Sequence, residues 1–141
     1  MLDRYVMTFS HDPGLDDQAR SFVHDFADGG PDFLQTHLPD QFVVGTPTGA
    51  STVQRKRFIE AAQQRAAMVT GQGLPAPMLS SAECVALGDA YCLVTATLTM
   101  SVPGRHELIL TEDFLIDRAG ENWRCLAYLL RQDLPGLLAA P

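Results

Sequence analysis

The chain has 141 residues, 46% hydrophobic and 19% charged, with ten basic against seventeen acidic side chains and a formal charge of −7. That length supports one domain with a core of its own, without disulfides or a metal, and the composition is ordinary for a soluble globular protein. A phosphate backbone asks for a broad basic face, and only Arg55-Lys56-Arg57 clusters positive charge, so no nucleic-acid partner is expected. The N-terminal MLDRYVMTFS carries Asp3 and Arg4 and no continuous apolar stretch, unlike a signal peptide. No run approaches the ~18 apolar residues of a membrane span, so no membrane partner is expected. Cys84, Cys92 and Cys125 stand far apart inside apolar runs, which reads as small core residues in a reducing, cytoplasmic compartment.

Residues 1–11 read as a short strand or an arm, without a decision between them. In HDPGLDDQARSFVHDFADGG, Leu15, Ala19, Phe22, Val23 and Phe26 recur at helical spacing. Asp16 and Asp17 suit the positive end of that helix, and Gly29-Gly30 ends it. PDFLQTHL predicts a second, short helix opened by Pro31, DQFVVG a brief strand, and TPTGAS a turn. STVQRKRFIEAAQQRAAMVTG predicts a long helix capped by Ser51 or Thr52 and stopped by Gly71, with Phe58, Ala61, Ala62, Ala66 and Val69 buried.

From about residue 79 the period becomes two. Four strand-like runs, SAECVALG, AYCLVTATLTMSV, RHELILTEDFLID and NWRCLAYLLRQDL, are joined by turn-forming Gly88-Asp89, Pro103-Gly104 and Ala119-Gly120-Glu121. Consecutive strands with short joints predict an antiparallel meander. Helices followed by a meander give the α+β class, the helices covering one face of the sheet. In the last strand parity puts Trp123, Cys125, Ala127 and Leu129 on one face, and Leu126, Tyr128 and Leu130 on the other. Both faces are apolar, so a second cover is needed, and a homodimer through the outer sheet face is expected.

This order of elements resembles the NTF2-like superfamily, with its cone-shaped fold and its SnoaL-like and ketosteroid-isomerase-like members. The resemblance rests on HLPDQFVVG, VQRKRFIEA, LGDAYCLVT and, most specifically, DFLIDRAGENWRCLAYLLRQDL. It spans roughly residues 12–133 and leaves 134–141 as a tail that is loose or packs on a neighbour. It implies a homodimer whose cone encloses a mostly apolar cavity, and such scaffolds host unrelated activities.

Glu112 and Asp113 interrupt the apolar run LILTEDFLID, and alternation along a strand lets only one of them face inward. Glu112 shares its face with Leu108, Leu110, Phe114 and Ile116; Asp113 shares the more polar face of Thr111 and Asp117. Glu112 is therefore the inward acid and the candidate catalytic residue, unless it pairs with an Arg or the strand is bulged. It falls near where ketosteroid isomerases keep a protonated acid as hydrogen-bond donor, a role that desolvation would serve by raising its pKa. The resemblance places a general base in the short strand after the second helix, but Val44-Gly45-Thr46-Pro47 offers no carboxylate. Arg65 lies near the middle of the long helix's apolar stripe. Either it snorkels outward, or it points into the cavity as a partner for Glu112 or a clamp on an anion.

The expected lining comprises Phe22, Phe26, Phe58 and Val69 from helices, with Phe42, Leu110, Phe114, Trp123 and Cys125 from the sheet, and His37 near the mouth. No histidine pair has ligand spacing and the cysteines complete no set, so no metal is expected. No phosphate loop, dinucleotide fingerprint or nucleophile elbow occurs, and no cofactor is expected. The function these residues suggest is binding of a small, largely apolar molecule, with or without cofactor-independent acid–base chemistry. The competing reading is a dimerisation or interaction module with a closed core.

Overall fold

A computed structural model describes residues 13–133 and 136–137. The expected N-terminal arm or strand lies outside the described residues, as does the tail apart from Gly136 and Leu137. Two helices, α1 (Pro13–Asp28) and α2 (Pro31–His37), precede a hairpin of β1 (Gln41–Thr46) and β2 (Gly49–Gln54). The long helix α3 (Arg55–Gly71) follows, then β3 (Met78–Leu87), β4 (Tyr91–Met100), β5 (Leu108–Asp117) and β6 (Arg124–Leu130). All six strands form one sheet in the order β2-β1-β6-β5-β4-β3. Every pairing is antiparallel except that of β1 with β6, which is parallel, so the expected antiparallel meander holds for β3–β6 and the sheet as a whole is mixed.

The α1 stripe is buried as its spacing predicts, at Ala19, Phe22, Val23 and Phe26. Asp16 does more than meet the helix dipole: its Oδ1 accepts the Cys84 amide at 2.9 Å and fastens α1 to β3. Gly29 ends the helix in the left-handed region, at φ 66°. The alternation of β4 is clean, with Cys92, Val94, Ala96, Leu98 and Met100 all buried toward the helices. The three described cysteines are buried and free.

Three expectations change. Residues 49–54 form β2 instead of a turn and a helix cap, because Thr52 and Val53 pair across a hairpin with Val43 and Phe42. The helix therefore begins at Arg55, whose guanidinium bonds the Leu38 carbonyl (3.1 Å) and the Asp40 carboxylate (3.0 Å), tying α3 to the α2–β1 joint. On α3, Ile59 and Val69 are buried, whereas Ala61 and Ala66 are exposed. Finally, β6 does not keep its parity. Leu115 faces Ala127 and Ile116 faces Cys125, leaving Leu126 unmatched. This bulge puts Cys125 and Tyr128 on the same, helix-covered face and sends Ala127 and Leu129 to the other.

β5 pairs with β4 without a break from Leu108 to Asp117, so Glu112 and Asp113 do face opposite ways. Asp113 lies on the outer face, yet it is only 8% exposed. Its carboxylate accepts two bonds from the Arg131 guanidinium, at 2.7 and 2.9 Å, and one from the Thr95 hydroxyl at 2.8 Å. Burial pushes this carboxyl up, but the Arg131 and Thr95 bonds and the Arg131 charge outweigh it and leave the pKa below its ordinary value. A depressed folded-state pKa contributes stability above the unfolded value and loses it as pH falls through the folded value. Asp113→Asn is therefore expected to cost about 1–2 kcal/mol in neutral urea melts. That difference should shrink as pH drops below about 4; an equal cost at every pH would refute the ion pair's role.

Candidate functional site

The interior of the sheet is organised by aromatic rings. Tyr128 is 3% exposed and stands 5.0 Å from Phe26, 5.1 Å from Phe114 and 5.9 Å from Phe58, between centroids. Phe26 meets Phe114 edge-on at 5.0 Å, and Phe42 meets Phe58 the same way at 5.0 Å. Packing of this kind fixes a ring's position and adds about 0.5–1.5 kcal/mol per pair. It holds the Tyr128 hydroxyl against β5, where it donates to Glu112 Oε1 at 2.7 Å.

Glu112 is half-buried and borders a cavity of about 340 Å³. Leu110, Thr111 and Glu112 of β5, Leu130 of β6 with Gln132 and Asp133 beyond it, Thr46, Pro47 and Thr48 at the β1–β2 turn, and Arg65 of α3 form its wall. The chain leaving β6 stays fastened beside this cavity. The Thr111 amide donates to Gln132 Oε1 at 2.7 Å, and the Arg131 amide donates to the Thr111 carbonyl at 3.2 Å.

Burial raises the Glu112 carboxyl above its ordinary pKa, and the Tyr128 bond and the Arg65 charge only partly oppose it. The Tyr128 phenol is pushed well up, by burial first and then by the charge of Glu112 and the bond to it, so it remains a neutral donor. Every fully buried side-chain nitrogen or oxygen among the described residues has a hydrogen-bond partner. Glu112 Oε2 has no hydrogen bond among the described residues and so is not fully buried, and its residue lies on the cavity wall. A protonated Glu112, with Oε1 accepting, carries its proton on Oε2 and can donate it to a ligand.

Of the twelve residues singled out from the sequence, Val69 is buried on α3 and borders neither this cavity nor the cleft at His37, and the other eleven divide into three sets. Glu112, Leu110 and Arg65 meet at this cavity; Arg65 is exposed and, among the described residues, makes no hydrogen bond or ion pair. Phe22, His37 and Trp123 instead line a second, open cleft of about 480 Å³ with Phe33 and the acids Asp17, Asp25 and Glu121. There His37 Nδ1 donates to the Trp123 carbonyl at 2.6 Å, which fixes the ring against β6. Phe26, Phe42, Phe58, Phe114 and Cys125 fill the core and border neither cavity. The expectation that these five line the Glu112 cavity gives way because the rings pack on one another and consume the interior.

Sequence reasoning passed over Tyr128 as the partner of Glu112. Strict alternation separated it from Cys125, and only the bulge at Leu126 puts both on Glu112's face. Thr46 and Pro47 enter the sequence reading only as a stretch without a carboxylate, and the structure adds Thr48 and makes all three part of the cavity wall. Among the described residues no group of three or more His, Cys, Asp or Glu could hold a metal ion, and no helix is long and apolar enough to cross a membrane.

No protein-family model and no curated protein sequence matches this chain. Solved structures do. An NTF2-like protein from Cytophaga hutchinsonii is similar with a TM-score of 0.57 at 15% identity, over 82% of this chain and 93% of that one. A domain of unknown function with a cystatin-like fold from Nostoc punctiforme gives 0.60 at 15% identity, over 90% and 84%. Nuclear transport factor 2 from Cryptosporidium parvum gives 0.59 at 11%, over 89% and 100%. Identities this low speak for architecture alone: three helices on a six-stranded mixed sheet, the NTF2-like fold.

Proposed function

We propose that this domain binds a small, largely apolar molecule in the Glu112 cavity and donates a hydrogen bond from Glu112 Oε2 to a carbonyl or hydroxyl on it. One observation carries the reading: a desolvated carboxyl on the cavity wall has one oxygen committed to Tyr128 and the other without a hydrogen bond among the described residues. A polar group set among apolar walls is how small-molecule sites fix orientation. Leu110, Leu130 and Pro47 supply the apolar surface here. Acid–base turnover at carbon would need a base as well. The β1–β2 side of the cavity presents Thr46, Pro47 and Thr48, and the other carboxylate at its wall, Asp133, lies beyond the end of β6. Binding is therefore proposed in preference to turnover.

The outer sheet face supports a second, compatible reading, pairing with another copy of the chain. Val43, Tyr91, Ile109 and Leu129 project from it as exposed large apolar residues, among threonines such as Thr97 and Thr99 of β4. Large apolar side chains exposed together on one face support reading it as an association surface. The Asp113–Arg131 pair at its centre would give the interface a polar register.

The raised folded-state pKa of Glu112 has a defined sign. Its stabilising share is complete below the unfolded value and is lost as pH rises through the folded value. Glu112→Gln should thus gain stability relative to wild type as pH rises past about 4.3, and the gain should level off above the folded pKa. A constant difference from pH 3 to 8 in chemical melts would show that the carboxyl is not desolvated.

Binding is tested by calorimetry with cyclic ketones and the matching hydrocarbons. Glu112→Leu should weaken the ketones by about ten-fold, the worth of one hydrogen bond to an acid, and spare the hydrocarbons. Equal effects on both would end the donor role. For the outer face, light scattering should give a dimer for wild type and a monomer for Ile109→Arg with Leu129→Asp; a monomeric wild type would remove the pairing.

A further inference from the structure

We propose that the molecule taken by this cavity is an amphiphilic anion, an apolar body carrying a single carboxylate or sulfonate group that the Arg65 guanidinium holds. This rests on the reading of the Glu112 cavity as a ligand site and adds the chemical class of its occupant. Arg65 projects from α3 at the wall of the cavity that Glu112 borders. An Arg beside carboxylates ordinarily pairs with one of them, since its planar fork matches two carboxylate oxygens. Here the two acids on the cavity wall are otherwise disposed. Glu112 Oε1 takes the Tyr128 hydroxyl. Asp133 forms no ion pair with Arg65, and its Oδ2 lies over Gly136, 2.6 Å from where a Cβ would stand.

The turn hydroxyls are committed to one another and to the backbone, and among the described residues Arg65 is the one cationic side chain on the cavity wall. Thr46 donates its hydroxyl proton to the Gly49 carbonyl at 3.1 Å, which leaves Thr48 to donate to Thr46 across 3.1 Å. Both protons are consumed within the turn. Gln132 Oε1 accepts the Thr111 amide proton, so its Nε2 is a neutral donor on the same wall, able to support an anion but carrying no charge to hold one. Among the described residues the cavity thus brings together a cation without an ion pair, an acid with an unbonded oxygen, and the apolar side chains Leu110, Leu130 and Pro47. Its charge reaches the Glu112–Tyr128 pair, where it opposes the effect of burial on both groups. A volume of about 340 Å³ sits at the small end of ligand sites, so the body is one or two rings or a short chain. An anion at Arg65 and an acceptor at Glu112 would fix such a molecule at two points.

Two dyes with the same aromatic body separate the charge from the apolar contact: 8-anilinonaphthalene-1-sulfonate, and N-phenyl-1-naphthylamine, which lacks the sulfonate. Fluorescence titration should show Arg65→Gln weakening the sulfonate dye about ten-fold and moving the neutral dye by less than about two-fold. Asp133→Asn should tighten the sulfonate dye alone. Leu130→Trp, or Thr48→Trp should the first not fold, should displace both dyes by filling the cavity. If Arg65→Gln spares the sulfonate dye, or weakens both dyes equally, while the Trp variants still expel them, the anion proposal falls and the cavity reading stands. If the Trp variants leave both dyes bound, or if wild type binds neither, the cavity reading falls and takes this proposal with it.

Discussion

The hydrogen bond from Tyr128 to Glu112 is the contact on which the interior depends. It needs a phenol delivered to one atom of one strand. The ring is placed by Phe26, Phe58 and Phe114, which come from two helices and the neighbouring strand. It also decides what Glu112 can do. A buried carboxyl without a partner would be costly, and one held by an Arg would be ionised. Held by a neutral phenol, it keeps a raised pKa and one open oxygen.

Asp113, one residue along, shows how sharply a strand separates environments. Its side chain crosses to the outer face and meets Arg131 and Thr95, whose bonds and charge lower its pKa against burial, whereas at Glu112 burial outweighs the Tyr128 bond and raises it. Neither acid is explained by its own chemistry or its neighbours in sequence. Adjacent carboxyls of nearly equal intrinsic acidity are split by which partner the opposite strands supply: a phenol on one face, a guanidinium on the other.

The NTF2-like architecture accounts for having a cavity at all. Helices over one face of a sheet leave space where the layers diverge, and here that space lies between α3, the β1–β2 turn and the far ends of β5 and β6. Aromatic packing closes the rest of the interior. The apolar side chains that a hydropathy argument would assign to a ligand are largely in contact with one another, so the cavity is smaller and more polar than the apolar pattern suggests.

Much of this was legible before folding was considered. Period 3.6 over Leu15–Phe26 and period 2 from β3 through β5 are local signals, and so was the inward turn of Glu112, because β5 runs beside β4 without a slip. The rest depended on pairing between distant segments. β2 became a strand because β1 was there to receive Thr52 and Val53. The unmatched Leu126 reversed half of β6 and put Tyr128 beneath Glu112. By itself the sequence determined the element types apart from β2, the α+β layering and the inward acid, since periodicity and alternation act over a few residues. Only the tertiary structure decided which groups meet at the cavity, because register, bulges and aromatic packing are settled by partners on other elements.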